Sequence, residues 1–128
     1  MFDTITPDVL FFFDRKSREL ALYECLASAL LARYPATELR VKKTQIGFYD
    51  PGLYCCASMT PVRRKAERPD PFLTVTFSSD APIGSPRLIC VPVSRDRFTH
   101  HAVLGSPEDI DDGLLAWLAA SHDLGRHF

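Results

Sequence analysis

The stretch FTHHAVLGSPED, residues 98–109, contains the clearest change of pattern in the chain. Its first part, Phe98–Leu104, has the alternation of a strand. Ser106 and Pro107 then suit the N-cap and first positions of a helix, and Asp109 can complete a capping box. Apolar residues follow at helical spacing: Ile110, Leu114, Trp117 and Leu118. We therefore predict a strand followed by a C-terminal helix that starts here and docks Trp117 against the sheet or the first long helix.

Helix signals near the N-terminus predict two further helices. Residues 6–8, Thr-Pro-Asp, provide an N-cap, a first-turn proline and a first-turn acid for a short, buried apolar helix carrying Val9–Phe13. Ser17 can start a long amphipathic helix, which Pro35 ends because its ring cannot continue the helical turn. At the other end of the chain, Gly125 is a plausible stop for the last helix.

Between these helices the apolar pattern has a period of two. Glu38–Phe48 predicts one bent strand or two short ones, and Leu53–Val62 and Phe72–Ser78 predict two more. A fourth strand, Leu88–Val93, belongs at a sheet edge because Pro92 lacks the N–H of a central ladder. With the strand in the opening stretch, we predict one α+β domain over residues 1–128. Its five-stranded, mainly antiparallel sheet is packed by N-terminal helices and one C-terminal helix.

Composition excludes several classes of protein. Of 128 residues, 46% are hydrophobic and 24% charged, and the net charge of −1 gives no bulk attraction to nucleic acid or anionic membranes. The first residues lack signal-peptide character and no apolar run is long enough for a span, so we expect a cytoplasmic protein without a membrane partner. The oligomeric state is left open.

The cysteines have no metal-binding spacing. We expect all four thiols to be reduced and buried, because a free cysteine behaves as a small hydrophobe. Cys25 is expected on or beside the core-facing side of the long helix. Cys55 and Cys56 are neighbours in a strand and would point to opposite faces, so we predict no zinc site. We likewise predict no metal and no cofactor.

Charge is unevenly distributed along the chain. Residues 40–68 contain seven basic and two acidic residues, a local charge of +5, so the remainder sums to −6. Within this basic segment, two stretches made neighbours by the predicted hairpin hold the candidate ligand-binding set: Lys42, Lys43, Arg63, Arg64 and Lys65. These side chains could converge on a phosphate group or a nucleic-acid backbone. The alternatives are a solvated loop whose cation stems cover apolar surface, or a basic surface that pairs with the molecule's own acidic helix.

Two adjacent histidines are candidates for chemistry. On a strand, the side chains of His100 and His101 point to opposite faces, so only one of them can enter any given site. His100 shares the more apolar face and is expected to be a hydrogen-bonded core residue. His101 is the candidate for contact with solvent or ligand, and for a catalytic acid/base role.

Four acids, Glu108, Asp109, Asp111 and Asp112, follow the last strand. A position in a first helical turn accounts for most of them without chemistry, because acids there complement the helix dipole.

Three segments resemble a bacterial family described as domain of unknown function 5655. They are VKKTQIGF at 41–48, VRRKAERPDPF at 62–72 and FTHHAVLGSPEDID at 98–111, in that order along the chain. The resemblance covers nearly the whole chain. It implies a fold and assigns no catalytic residue.

The leading functional hypothesis is a small non-enzymatic module that binds an anionic ligand at its basic segment. The ligand would be a phosphate-bearing metabolite or a nucleic acid. One alternative is a small hydrolase or transferase with His101 as acid/base, although the sequence has no G-x-S-x-G, H-E-x-x-H or P-loop motif. A second alternative is a protein-interaction domain.

Overall fold

A computed structural model describes residues 4–124 and confirms the α+β class. The helices in this range are α1 (Pro7–Phe12), α2 (Ser17–Arg33) and α3 (Asp112–Leu124). The strands are β1 (Glu38–Val41), β2 (Ile46–Tyr49), β3 (Leu53–Ser58), β4 (Leu73–Ser79), β5 (Leu88–Ser94) and β6 (Arg97–Leu104). The predicted helix stop at Gly125 lies outside the described residues. Within residues 4–124, no helix combines the length and apolar character needed to cross a bilayer.

The sheet has six strands in the described range, so the prediction of five was wrong by one. Its order is β1-β2-β3-β4-β6-β5, and every adjacent pair is antiparallel. The extra strand arises at residues 42–45, where Lys42 N–H donates to the Gln45 carbonyl at 2.8 Å and Val41 pairs with Ile46. The chain reverses there instead of bending. A short polar run is compatible with either, so local pattern could not separate a bend from a turn.

The predicted edge position of the proline-containing strand is confirmed. β5 lies at the end of the sheet, and within residues 4–124 it pairs with β6 alone, so its other side has no ladder partner there. Pro92 is therefore tolerated in this strand. At the opposite side of the sheet, residues 50–52 turn the chain between β2 and β3, which form the predicted hairpin.

Side chains of alternate residues divide the sheet into two faces. Helices α2 and α3 cover one face, where cross-strand neighbours such as Val75 and Ala102 are buried. Trp117 of α3 docks there as predicted, with its ring 6.2 Å from that of Phe77 and nearly parallel to it. The opposite face carries Thr76 and His101, and the loop after β3 lies over it.

Helix α1 is less buried than the sequence indicated. Thr6 caps it as predicted, accepting a hydrogen bond from Val9 N–H at 3.3 Å, and Val9 is buried. Leu10 and Phe11, however, have exposed side chains, so the prediction of a buried helix was wrong. The helix is short and lies against the sheet edge, where it can bury one side only.

The long helix α2 also differs in one respect from the prediction. Leu22, Tyr23 and Leu26 point into the core as expected, but Cys25 is exposed. Its position falls just outside the apolar arc that these residues define. Cys90 is only partly buried, while Cys55 and Cys56 are buried, and all four thiols are free.

The last helix begins later than predicted. Ser106 and Asp109 do form a capping box, but it closes a short 3-10 turn, Pro107–Asp109. Helix α3 starts afresh at Asp112, where the side chain of Asp111 accepts a hydrogen bond from Leu114 N–H at 2.9 Å. The acidic residues 108–112 therefore contain two successive helix caps. A capping box marks where a helical turn begins but does not specify how long the helix will be.

Candidate functional site

The loop-covered face of the sheet contains a polar pocket of about 180 Å³. On this face, Thr76 of β4 is paired with His101 of β6 on one side and with Cys56 of β3 on the other. The loop after β3 closes the pocket from above. Its lining residues are Thr44, Gln45, Ser58, Thr60, Val62, Thr74, Thr76 and His101.

His101 lines this pocket through a half-buried imidazole. Its Nδ1 and Thr76 Oγ1 are hydrogen-bonded at 2.8 Å, and no hydrogen bond joins its Nε2 to residues 4–124. Burial lowers the pKa of His101, so the ring is neutral at pH 7. If the threonine hydroxyl donates to Nδ1, Nε2 carries the proton and is a donor; in the other tautomer it is an acceptor. Either way, one nitrogen is available to a ligand.

Hydroxyl groups form most of the remaining wall. Thr74 Oγ1 donates to the carbonyl of Thr60 at 2.8 Å, and Ser58 Oγ accepts from Thr60 N–H at 3.4 Å. These bonds hold the loop after β3 against the sheet and keep the pocket open. Thr44 and Gln45 form no side-chain hydrogen bond within the described range, so their polar atoms can face a ligand.

Both basic stretches of the sequence border the His101 pocket. Residues 44–45, which line it, directly follow Lys43, and Val62, which also lines it, directly precedes Arg63. Lys43 lines a neighbouring cavity that shares two residues with the pocket. Arg63 lines a separate cavity of about 270 Å³. Lys43 and Arg63 are thus sequence neighbours of residues that line the pocket, while their own side chains line other cavities.

The five nominated cations do not converge on a single pocket of the described chain. Lys42 and Lys43 extend from the β1–β2 turn, Arg63 lines the 270 Å³ cavity with Arg87, and Lys65 lines a third cavity. The sequence could not predict this separation, because it depends on how the loop after β3 folds.

Their internal partners also differ. Arg63 donates to the Pro86 carbonyl at 3.1 Å, and Arg64 forms an exposed ion pair with Glu67 at 3.0 Å. The three lysines form no ion pair with residues 4–124. Part of the basic segment is therefore uncompensated within the described chain.

The acids after β6 are occupied elsewhere. Asp111 accepts from Arg87 at 3.0 Å, and the hydrogen bond from Leu114 N–H, followed by that of Arg87, lowers the pKa of Asp111. Asp109 Oδ2 accepts from Gly105 N–H at 2.7 Å. Asp111 is therefore paired with Arg87, outside the basic segment, while Asp109 lines the cavity that Arg63 also lines. Within residues 4–124, no cluster of His, Cys, Asp or Glu could hold a metal ion.

His100 is the buried partner of this histidine pair, as predicted. Its side chain is fully buried, and Ser79 Oγ lies 2.7 Å from its Nε2. Because the single hydroxyl proton of Ser79 is donated to the Ala81 carbonyl, Nε2 of His100 must be the donor. Its Nδ1 is buried and has no hydrogen-bond partner among residues 4–124. His100 is thus a core residue and lies on the opposite face from the pocket.

Residues 11–125 match the family described as Domain of unknown function (DUF5655). The chain belongs to the DUF5655 family. No curated protein and no solved structure matches it significantly.

The three segments that resemble this family each contribute a lining residue to the pocket. Residues 41–48 supply Thr44 and Gln45, residues 62–72 supply Val62, and residues 98–111 supply His101. Sequence reasoning missed most of the hydroxyl wall, Ser58, Thr60, Thr74 and Thr76. The alternation of Thr74 and Thr76 in β4 was the available signal, because it places both on one face.

Proposed function

We propose that this domain is a binding module for a small molecule carrying an anionic group, in particular a phosphate, at the His101 pocket. The observation that supports this proposal is a neutral, hydroxyl-lined pocket whose lining residues Thr44 and Val62 directly follow Lys43 and directly precede Arg63, respectively, in the chain. Cations at the border attract the charged group, while the pocket offers hydrogen bonds from His101 and the hydroxyls to the rest of the ligand.

The size of the pocket limits the ligand. Pockets for drug-sized molecules measure roughly 300–1,000 Å³. At about 180 Å³, this one has room for a phosphate-sized group with a few attached atoms. A nucleic-acid strand would have to leave its bases outside. The proposal therefore favours a small metabolite over a polynucleotide.

A binding role is favoured over the hydrolase or transferase alternative by the partners of His101. A catalytic base must reach the nucleophile that it activates. His101 contacts one hydroxyl, that of Thr76, through Nδ1, and no carboxylate of residues 4–124 hydrogen-bonds to its other nitrogen, Nε2. A catalytic triad needs such a third group to orient the imidazole and to stabilise its protonated form, so the pair as it stands fits ligand binding better than activation of a nucleophile.

The test is a titration of the protein with inorganic phosphate, a panel of phosphorylated metabolites and single-stranded RNA. Binding is followed by calorimetry and thermal shift at two ionic strengths. We expect at least one small phosphorylated compound to bind and its affinity to fall as salt rises, because screening weakens attraction to exposed cations. Arg63→Gln and His101→Ala should each weaken binding about tenfold or more, a loss of about 1.4 kcal/mol.

Arg95→Gln is the matched control, because Arg95 is an exposed cation in the β5–β6 turn, away from the pocket. It should bind as the parent does. If RNA binds more tightly than every small phosphate compound, the ligand is a polynucleotide and not a small metabolite. If Arg63→Gln and His101→Ala are folded and bind the ligand as tightly as the parent does, the His101 pocket is not the binding site.

A further inference from the structure

Helix α1 presents an apolar knob to solvent. The side chain of Phe11 is 83% exposed and that of Leu10 is 52% exposed. Among residues 4–124, the only other exposed large hydrophobic residues are Val91 and Val93, on the outer strand β5. Neighbouring apolar side chains left in water at one place on a small domain commonly mark a contact surface.

A hole lies directly beside this knob. It is a pocket of about 190 Å³, and the side chains that line it are those of Asp8, Phe11, Phe12, Val41, Lys42 and Lys43. Its wall combines three apolar side chains with the carboxylate of Asp8 and two cations from the β1–β2 turn, so its net charge is positive. A matching group must therefore bring an apolar side chain together with a carboxylate.

Helix α1 itself carries that combination. Asp8 and Phe11 are three residues apart in α1 and so lie on the same side of the helix. Neither Asp8 nor Lys42 forms an ion pair within the described chain. One small surface thus holds both halves of a complementary contact. One half is Phe11 with Asp8, and the other is the apolar pocket with Lys42.

We propose that α1 and the β1–β2 turn form a twofold interface with a second copy of this chain. Phe11 of each copy inserts into the pocket beside α1 of the other, and Asp8 of each copy approaches Lys42 of the other. A twofold contact uses the same surface twice, so a self-complementary surface is what it requires. This inference is independent of the ligand pocket.

The experiment is sedimentation velocity of the intact chain from about 1 µM to about 1 mM, the range in which a small interface dissociates. We expect a reversible monomer–dimer equilibrium. Phe11→Ser should weaken it at least about tenfold, because buried aromatic anchors dominate such contacts. Lys42→Asp alone should also weaken it. The double variant Asp8→Lys/Lys42→Asp should recover much of the loss, since it restores opposite charges across the twofold axis.

Val93→Ser is the control, because it removes an exposed apolar side chain at β5 and should leave the equilibrium unchanged. A chain that stays monomeric throughout the range would overturn the proposal. So would a dimer that survives Phe11→Ser but is lost in Val93→Ser, which would place the contact at the β5 edge. Binding of an acidic peptide by a chain that never dimerises would assign the same surface to another protein.

Discussion

The hydroxyl of Ser121 in α3 donates a hydrogen bond to the backbone carbonyl of Tyr54 in β3, at 2.8 Å. The same oxygen accepts from the backbone N–H of Ser78 in β4, at 3.1 Å. Strands β3 and β4 pair directly only over Cys56–Ser58 and Thr74–Thr76. Ser121 therefore bridges the two strands beyond the point where their own ladder ends, and it fastens α3 to the sheet.

Ser121→Ala should be strongly destabilising for its size. It leaves a buried carbonyl and a buried N–H without partners, and each unsatisfied group costs about 1–3 kcal/mol. We expect a loss of roughly 2 kcal/mol or more in the free energy of unfolding, measured by urea denaturation. Ser28→Ala is the control, because Ser28 is exposed on α2 and the chemical change is the same. A loss of less than about 0.5 kcal/mol would mean that water replaces the hydroxyl.

Gly105 is required by a close approach of two segments. A Cβ at this position would lie 2.6 Å from two ring carbons of Pro69. A proline ring cannot rotate away, so Gly105→Ala must displace the loop before β4 or the end of β6. We expect about 1–3 kcal/mol of destabilisation, measured by thermal unfolding.

Gly84→Ala provides the comparison for Gly105. A Cβ at Gly84 meets nothing within 4 Å, so this variant should unfold close to the parent temperature. A Gly105→Ala variant that is as stable as Gly84→Ala would show that the loop around Pro69 yields without cost.

The two neighbouring histidines predict loss of stability in mild acid. Burial lowers the pKa of His100, with a further contribution from His101, and burial lowers that of His101 as well. Both bind protons less readily in the folded chain than in the unfolded one. As the pH falls below 6.5, the unfolded state gains protons that the folded state does not, so the free energy of unfolding decreases until the folded pKa is passed.

This dependence is measured by urea denaturation between pH 7.5 and pH 5.5, about one unit on either side of the ordinary histidine pKa. The double variant His100→Gln/His101→Gln should show a smaller decrease than the parent. His122 is present in both proteins, so any contribution it makes to the pH dependence is the same in each. An equal decrease in the two proteins would assign the acid sensitivity to other groups.

The thiols should differ in reactivity. Cys25 is exposed and Cys90 partly buried, so iodoacetamide should label Cys25 first in the native protein and Cys90 more slowly. Burial raises the pKa of Cys55 and, to about 12, that of Cys56. These two should be labelled only after unfolding, because the thiolate is the reactive form.

Peptide mapping by mass spectrometry measures the order of labelling. Cys25→Ser should lose the fast phase and keep the rest. Labelling of Cys55 or Cys56 at the rate of Cys25 would show that β3 opens in the native state. A disulfide in protein prepared without reductant would contradict the free thiols of the structure.

The sequence by itself determined features that depend on neighbours within about one helical turn. Alternation in β6 correctly separated a buried His100 from a pocket-facing His101. The missing N–H of Pro92 correctly assigned β5 to an edge, and the N-cap at Thr6 correctly started α1. Each prediction rests on a local property, side-chain period or a backbone donor, which the chain carries wherever it folds.

Tertiary structure alone decided the remainder. Whether the chain bends or reverses at residues 42–45 depends on which strand pairs with Ile46. The exposure of Phe11 depends on how much of α1 the sheet edge can cover. The His101 pocket joins side chains from the β1–β2 turn, β4, β6 and the loop after β3. Local periodicity carries no information on which distant segments meet, because strand pairing and loop closure are set by contacts between residues far apart in the chain.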